Sequence, residues 1–502
     1  MTANPSTTTT SRFPEFDPDL NYSMIIDGED TSSGSGRTFQ LVDPFENVEW
    51  GHVPEADASD VDRAVRAARA AFPIWAATLP VARAAIISRW ADLIREHAER
   101  LARAQVHENG KTILEMRGAT QSVALLADFT AQMAQTIHGV TVQPGVPDHE
   151  SWTRREPLGV VAAIAPWNNP LGLLSWKLLP AVASGNTIVV KPSEVTPVST
   201  LLLVALANEA GFPPGVINVI TGAGEAGAAL VNHPGIDKVA FTGSTATGRR
   251  IAEAAAPRFL RTTLELGGKG PQIVFADADI DRAVGGLLTG VIAGTGQACN
   301  AGSRILVHDV VYDEVTSKLQ AAMDAVRIGD PLDESTMVGP VASRAQYEKI
   351  GAYFSVAESE PGTILVRGGR IGTDVPGAAR DGLFIEPTLY ETPDASSRIR
   401  REEIFGPVGA IVRFHDEEEA IRIANESEFG LVSGVWTQDI DRASRVSQAL
   451  ETGVVWINTW RVFSTNMPFG GRKMSGMGRE LGLNLFDEYT DTKAVWLGHA
   501  PH

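Results

Sequence analysis

The spacing of apolar residues divides the chain. Up to about Ile137 the apolar positions recur at helical spacing. Val61, Ala64, Val65, Ala68 and Phe72 fall on one face, and Ser59 with Asp62 three residues on reads as a capping box opening that helix. Residues 1 to about 19 are rich in Thr, Ser and Pro without an apolar pattern and read as a mobile tail. From Gly159 the texture changes to short apolar runs, Val160 to Ala165, Thr187 to Val190, Val216 to Ile220 and Lys238 to Phe241, each followed by a plausible helix. Strands buried on both faces and joined by helices make a parallel doubly wound sheet, which takes ligands at the carboxyl ends of its strands, a nucleotide by default. A second series lies near Gln272 to Phe275, Arg304 to Val307, Val408 to Phe414, Leu431 to Trp436 and Val454 to Asn458, with helical stretches such as Asp416 to Ala424 between. The pattern predicts two α/β domains with the reaction centre in the cleft between them. No short repeat or low-complexity insert interrupts it.

Composition narrows the class. A chain of 502 residues exceeds what one core supports, and 43% hydrophobic with 21% charged residues is ordinary for a globular protein. The balance of 43 basic against 61 acidic residues gives a net charge of -18, which opposes nucleic acid as a partner. No apolar run approaches the ~20 residues that span a bilayer, and the N-terminus lacks a basic region followed by an apolar core. One cysteine and no export signal predict the cytoplasm and no membrane partner.

That cysteine, Cys299 in Gly296-Gln297-Ala298-Cys299-Asn300-Ala301-Gly302, can form neither an internal disulfide nor a cysteine-based metal cluster, and no metal is expected. Lone cysteines are commonly small buried hydrophobes. Here the segment follows an apolar, Gly-punctuated run, Ala283 to Thr295, and precedes the strand-like Arg304 to Val307, which places the sulfur on a turn that substrate can reach. A nucleophile is the functional reading. Glu265, at an apolar strand end before Gly267 and Gly268, suits a general base of raised pKa. Asn168, after Pro166 and Trp167 at the end of the first strand, offers a neutral amide donor for an oxyanion. Two places fit a dinucleotide phosphate: Gly222-Ala223-Gly224-Glu225-Ala226-Gly227, a G-x-G-x-x-G match, and Phe241-Thr242-Gly243-Ser244, where a strand also runs into a helix N-terminus. Motif grammar leaves both open. Lys191 and Glu194 add a cation and a ribose-binding acid at a neighbouring strand end.

Taken together, Pro166-Trp167-Asn168, Lys191-Pro192-Ser193-Glu194, Phe241-Thr242-Gly243-Ser244, Glu265-Leu266-Gly267-Gly268-Lys269, Gly296-Gln297-Ala298-Cys299, Glu402-Glu403-Ile404-Phe405-Gly406-Pro407 and Pro468-Phe469-Gly470-Gly471 resemble the aldehyde dehydrogenase superfamily, in its hydrolytic NAD(P)-dependent branch, from about Met24 to Gly498. The resemblance implies an α/β fold of that type: a Rossmann-type cofactor domain (20–136 and 156–266), a second α/β catalytic domain (267–475), and a small β oligomerisation element (137–155 and 476–502), forming a homodimer or homotetramer. It implies Cys299 as nucleophile, Asn168 and the Cys299 N–H as oxyanion donors, Glu265 as base toward water, and Lys177 with Glu480 as proton relay. Glu403 and Phe405 would position the nicotinamide, Lys191 and Glu194 the adenosine ribose, and the helix at Ser244 the pyrophosphate, leaving Gly224 and Gly227 beside the adenine. Ile164, Pro166, Trp167, Ser193, Phe241, Gly243, Leu266 and Gly267 complete the expected contacts. NAD is preferred over NADP, whose 2′-phosphate Glu194 would repel. Aligned pocket positions are Asn169, Leu173, Trp176, Asn300, Arg461 and Phe463, whose polar members predict a polar or carboxylate-bearing aldehyde. The rivals are a coenzyme A-acylating relative, which commonly lacks the acid at Glu265, and a crystallin-like structural protein.

Overall fold

Two twisted sheets organise the protein, a computed structural model of which describes residues 12, 13, 16, 21–379 and 381–499. In the first, five parallel strands run in the order Ile217–Val219, Thr187–Lys191, Val160–Ile164, Lys238–Thr242, Arg261–Glu265. The chain therefore steps outward one way from Val160–Ile164, returns, and continues on its other side. The reversal lies between Val160–Ile164 and Lys238–Thr242, where a doubly wound sheet opens its ligand crevice. These two strands and Thr187–Lys191 are buried almost throughout because helices cover both faces, which is why they read as unbroken apolar runs.

The second sheet has the order Ile364–Arg367, Thr388–Glu391, Val408–Phe414, Arg304–His308, Pro271–Val274, Val432–Trp436, Val454–Ile457, parallel except for its first strand. A third, antiparallel sheet pairs Thr490–Gly498 with His149–Pro157 over nine residues, Thr490 opposite Pro157 and Gly498 opposite His149, with Thr141–Val142 beyond.

Several expectations are corrected. Four strands between Met24 and Pro54 precede the helices, and Met24–Ile26 adds to the first sheet beside Ile217–Val219. The first helix, Ala58–Ala77, is capped by Asp57 and not by Ser59, in a box with Asp60. Asp60 is fully buried and also accepts from Gly34 N at 3.0 Å and Ser33 Oγ at 3.0 Å, so a distant loop selects the register. Gly476–Met477 pairs with Arg261–Glu265 at the edge of the first sheet and so lies outside the small third sheet. The expected tail is anchored where it is described: Phe13 is 2% exposed and stacks on His107 at 3.9 Å between ring centroids. Residues 1–11, 14, 15 and 17–20 of that expectation lie outside the described residues. Among the described residues no single helix is long and apolar enough to cross a membrane.

Candidate active site

The turn that carries Cys299 is forced by three consecutive left-handed residues. Helix Ile280–Ile292, capped by Asp279, stops at Ala293, and Gly294, Thr295 and Gly296 follow at φ 62°, 57° and 66°. A Cβ on Gly296 would sit 2.2 Å from the carbonyl carbon of Gly406, so only glycine lets the two loops touch. The turn is then pinned from two sides: Gln297 Oε1 accepts from Ala342 N at 3.0 Å, and Gln297 O accepts from Asn168 Nδ2 at 3.0 Å. Asn168 is 5% exposed, and one of its two amide hydrogens is thus committed while the other is left for a ligand. Asn168 and Cys299 both line one cavity of about 610 Å³.

Burial pushes the Cys299 thiol up to about 12, with Glu403 and Glu265 adding to the rise and Arg461 opposing it. Glu265 ends its strand opposite Thr242, is buried, and has no hydrogen-bond partner on either carboxylate oxygen among the described residues. Desolvation first, then the nearby Glu480 charge, hold its carboxyl well above the ordinary range. Behind it Lys177 Nζ meets Glu480 Oε1 at 2.5 Å with both side chains essentially unexposed, and also bonds Thr242 Oγ1. Glu480 Oε2 has no partner, and burial raises that carboxyl too. Three ionisable groups thus form a chain leading away from the thiol.

Around the crevice, Lys191 Nζ donates to Pro192 O at 2.9 Å and lies 3.8 Å from Glu194, whose carboxylate is about half exposed at 52%. A Cβ on Gly227 would lie 3.5 Å from Lys191 Cδ and 4.0 Å from Ile164 Cδ1, so its missing side chain leaves a slot between them. Ser193 Oγ takes the Val195 N–H at 3.2 Å. Glu403 Oε1 accepts from Gly268 N at 2.8 Å and overhangs Gly267. Phe405, at φ 61°, meets Trp167 edge-on at 5.3 Å, next to Pro166. The two glycine-rich turns now separate. Helix Thr245–Ala255, capped by Ser244, starts from the strand that borders the reversal, with Phe241 and Gly243 just before it and Leu266 packed against Gly248. Helix Gly224–Asn232 starts two strands beyond the far side of the reversal.

All six expected pocket residues line the cavity with Cys299: Asn169, Leu173, Trp176, Asn300, Arg461 and Phe463. Trp176, Phe463 and Phe469 form an aromatic wall, Trp176 lying 5.3 Å from Phe469 and 6.3 Å from Phe463. Arg461, at φ 57°, has no side-chain hydrogen bond or ion pair among the described residues. Sequence reasoning missed Lys111 and Glu115, which enter from the helical layer; their segment shows only helix spacing. In a surface cleft of similar size, Arg398 pairs with Glu402, Arg400 with Glu426 and Lys473 with Glu451.

The Cys299 thiol and the Asn168 amide on one cavity, with the buried Glu265 carboxyl near enough for its charge to act on the thiol, agree with the sequence comparison, in which the aldehyde dehydrogenase family model matches residues 31–495. The chain belongs to the aldehyde dehydrogenase family. An aldehyde dehydrogenase of Aspergillus niger is 42% identical over 475 residues, covering 94% of each chain. A betaine aldehyde dehydrogenase of Rhizobium leguminosarum bv. trifolii is 42% identical over 481 residues, 95% of this chain and 98% of that one. The aldehyde dehydrogenase of Bacillus cereus, solved with NAD+, superposes with a TM-score of 0.93 at 40% identity, over 97% of this chain and 99% of that one.

Proposed function

We propose that this aldehyde dehydrogenase oxidises a polar or carboxylate-bearing aldehyde to the acid with NAD, through a thioacyl enzyme released by water. The observation that carries the hydrolytic reading is the buried, unpartnered Glu265 carboxylate in the same site as Cys299. An acid without partners keeps its lone pairs for water. It also argues against the acylating and structural alternatives.

Cys299 Sγ attacks the carbonyl carbon and its proton leaves to a base; the oxygen becomes an oxyanion held by the second Asn168 N–H and the Cys299 N–H. When bound, NAD supplies the acceptor for the hydride on that carbon. The slot at Gly227 would take the adenine, the Ser244 helix terminus the pyrophosphate, Lys191 with Glu194 the adenosine ribose, and Glu403 with Phe405 the nicotinamide ribose and ring. Glu194 supports NAD over NADP, because its carboxylate would face a 2′-phosphate of about two negative charges. Glu265 then takes a proton from water, the water oxygen attacks the thioacyl carbon, and the Cys299 thiolate departs. Glu480 and Lys177 carry that proton outward. The paired strands His149–Pro157 and Thr490–Gly498 support assembly into dimers or tetramers, and the single free cysteine supports a cytoplasmic setting.

Arg461 supports the substrate reading, since its guanidinium lines the cavity without a hydrogen bond or close ion pair among the described residues, and Glu115, the acid whose charge acts on it, already accepts from Gly294 N and the Thr112 hydroxyl. A second reading, a quaternary ammonium aldehyde against Trp176, Phe463 and Phe469, is favoured by the aromatic wall but opposed by the cation beside it. Losing a charge-assisted bond costs about 1.5 to 3 kcal/mol. Arg461→Ala should therefore raise KM for an acidic aldehyde at least about tenfold more than for a neutral one of equal size. Equal effects on both would refute the substrate reading.

A further inference from the structure

Arg461 is not the only cation facing the thiol. Lys111 lines the same cavity, is 4% exposed, and reaches over Gly294, where a Cβ would come within 2.6 Å of its Nζ. Its place is fixed from below. Helix Ala98–Asn109 ends at the left-handed Gly110, and Asn109 Oδ1 then accepts the Lys111 N–H at 3.0 Å while Asn109 Nδ2 donates to Trp167 O at 3.3 Å. One asparagine thus ties the lysine to the loop that holds Asn168. Neither the Lys111 ammonium nor the Arg461 guanidinium makes a hydrogen bond or close ion pair among the described residues.

The one acid among the cavity's described lining residues is Glu115, and its oxygens are already engaged. Oε1 takes the Gly294 N–H at 2.6 Å and Oε2 the Thr112 hydroxyl at 3.2 Å. Two cations against one carboxylate leave the wall with one uncompensated positive charge. Such a charge in a desolvated chamber is held at a cost unless an anion joins it. The strain on the lysine agrees: burial draws it down to about 8, with Arg461 acting in the same direction and Glu115 resisting.

We infer that Lys111 and Arg461 together bind one carboxylate at the far end of the aldehyde, so that the enzyme selects a monoanionic semialdehyde over neutral and cationic aldehydes. The inference rests on the substrate reading above and adds Lys111 as a specificity-determining residue. The guanidinium fork takes the two carboxylate oxygens, and the ammonium adds a second point charge. Both cations line the same cavity as the Cys299 sulfur, so an aldehyde seated at the thiol has its far end within that lining.

The test compares 4-oxobutanoate, 4-oxobutanamide and betaine aldehyde on wild type, Lys111→Met, Lys111→Arg and Arg461→Met. In wild type kcat/KM should favour the anion over the amide by at least tenfold, with betaine aldehyde last. Lys111→Met and Arg461→Met should each collapse the anion-to-amide ratio about tenfold, and Lys111→Arg should restore most of it. If Lys111→Met leaves the ratio intact while Arg461→Met collapses it, the pair is overturned and the Arg461 reading stands. If neither moves it, both fail. A readout without turnover or variants uses the single cysteine. Alkylation of Cys299 by iodoacetate relative to iodoacetamide should exceed the ratio for a free thiol by about an order of magnitude, and a ratio at or below the free-thiol value would overturn the inference.

Discussion

Replacing Asn168 by Ala deletes one amide whose two N–H groups do different work. One holds Gln297 O at 3.0 Å and thereby the turn of Cys299; the other is the donor proposed for the oxyanion. Loss of the first is a neutral hydrogen bond, about 0.5 to 1.5 kcal/mol of stability. Loss of the second removes an oxyanion donor, about 2.7 to 4 kcal/mol of barrier, or a factor of 10² to 10³ in rate. Catalysis should therefore suffer far more than folding. Because the oxyanion forms before the hydride leaves, the loss must appear in the first turnover. In stopped-flow measurements of NADH formation, Asn168→Ala should slow the burst and the steady state together, with NAD affinity by fluorescence quenching unchanged and the melting temperature down by a few degrees at most. A burst slowed less than about tenfold in a folded variant would mean that Asn168 only ties down Gln297.

Glu265→Gln should separate the two half-reactions, giving a normal NADH burst followed by almost no steady-state turnover, because the amide takes no proton from water. In wild type the raised Glu265 carboxyl must be ionised to act, so the hydrolytic rate should fall on acidification at a pH above the ordinary carboxylate range while the burst persists; equal loss of burst and turnover in the variant would place Glu265 before the thioester. Lys177→Met should destabilise the protein by about 3 to 5 kcal/mol, since it leaves the Glu480 charge buried without its cation. Denaturant titration measures it, and Lys177→Met with Glu480→Leu should recover most of the loss; a single variant as stable as wild type would show that the pair is not charged.

What the sequence disclosed and what it withheld follow from the range of the interactions. Strands such as Val160–Ile164 and Lys238–Thr242 are legible because burial on both faces writes itself as an unbroken apolar run. The order of those strands is not written locally, and it alone separates the two glycine-rich turns. The cap of the first helix slipped for a similar reason: Asp57 with Asp60 and Ser59 with Asp62 share one spacing, and Asp60 prevails through Gly34 and Ser33, more than twenty residues away. Phe13 looked like part of a polar tail because its partner His107 lies far along the chain. Cys299, Glu265 and Asn168 stood out because each follows an apolar run. Lys111 did not, since it follows a helix end with nothing in its neighbours to mark a reach toward Gly294.

All of these assignments depend on the single sulfur. Cys299→Ala should bind NAD with wild-type fluorescence quenching and form no NADH in either the first turnover or the steady state, because Cys299 is the only cysteine in the chain and the proposed thioacyl intermediate needs its sulfur. NADH formation above a trace by that variant, with any aldehyde, would contradict the account.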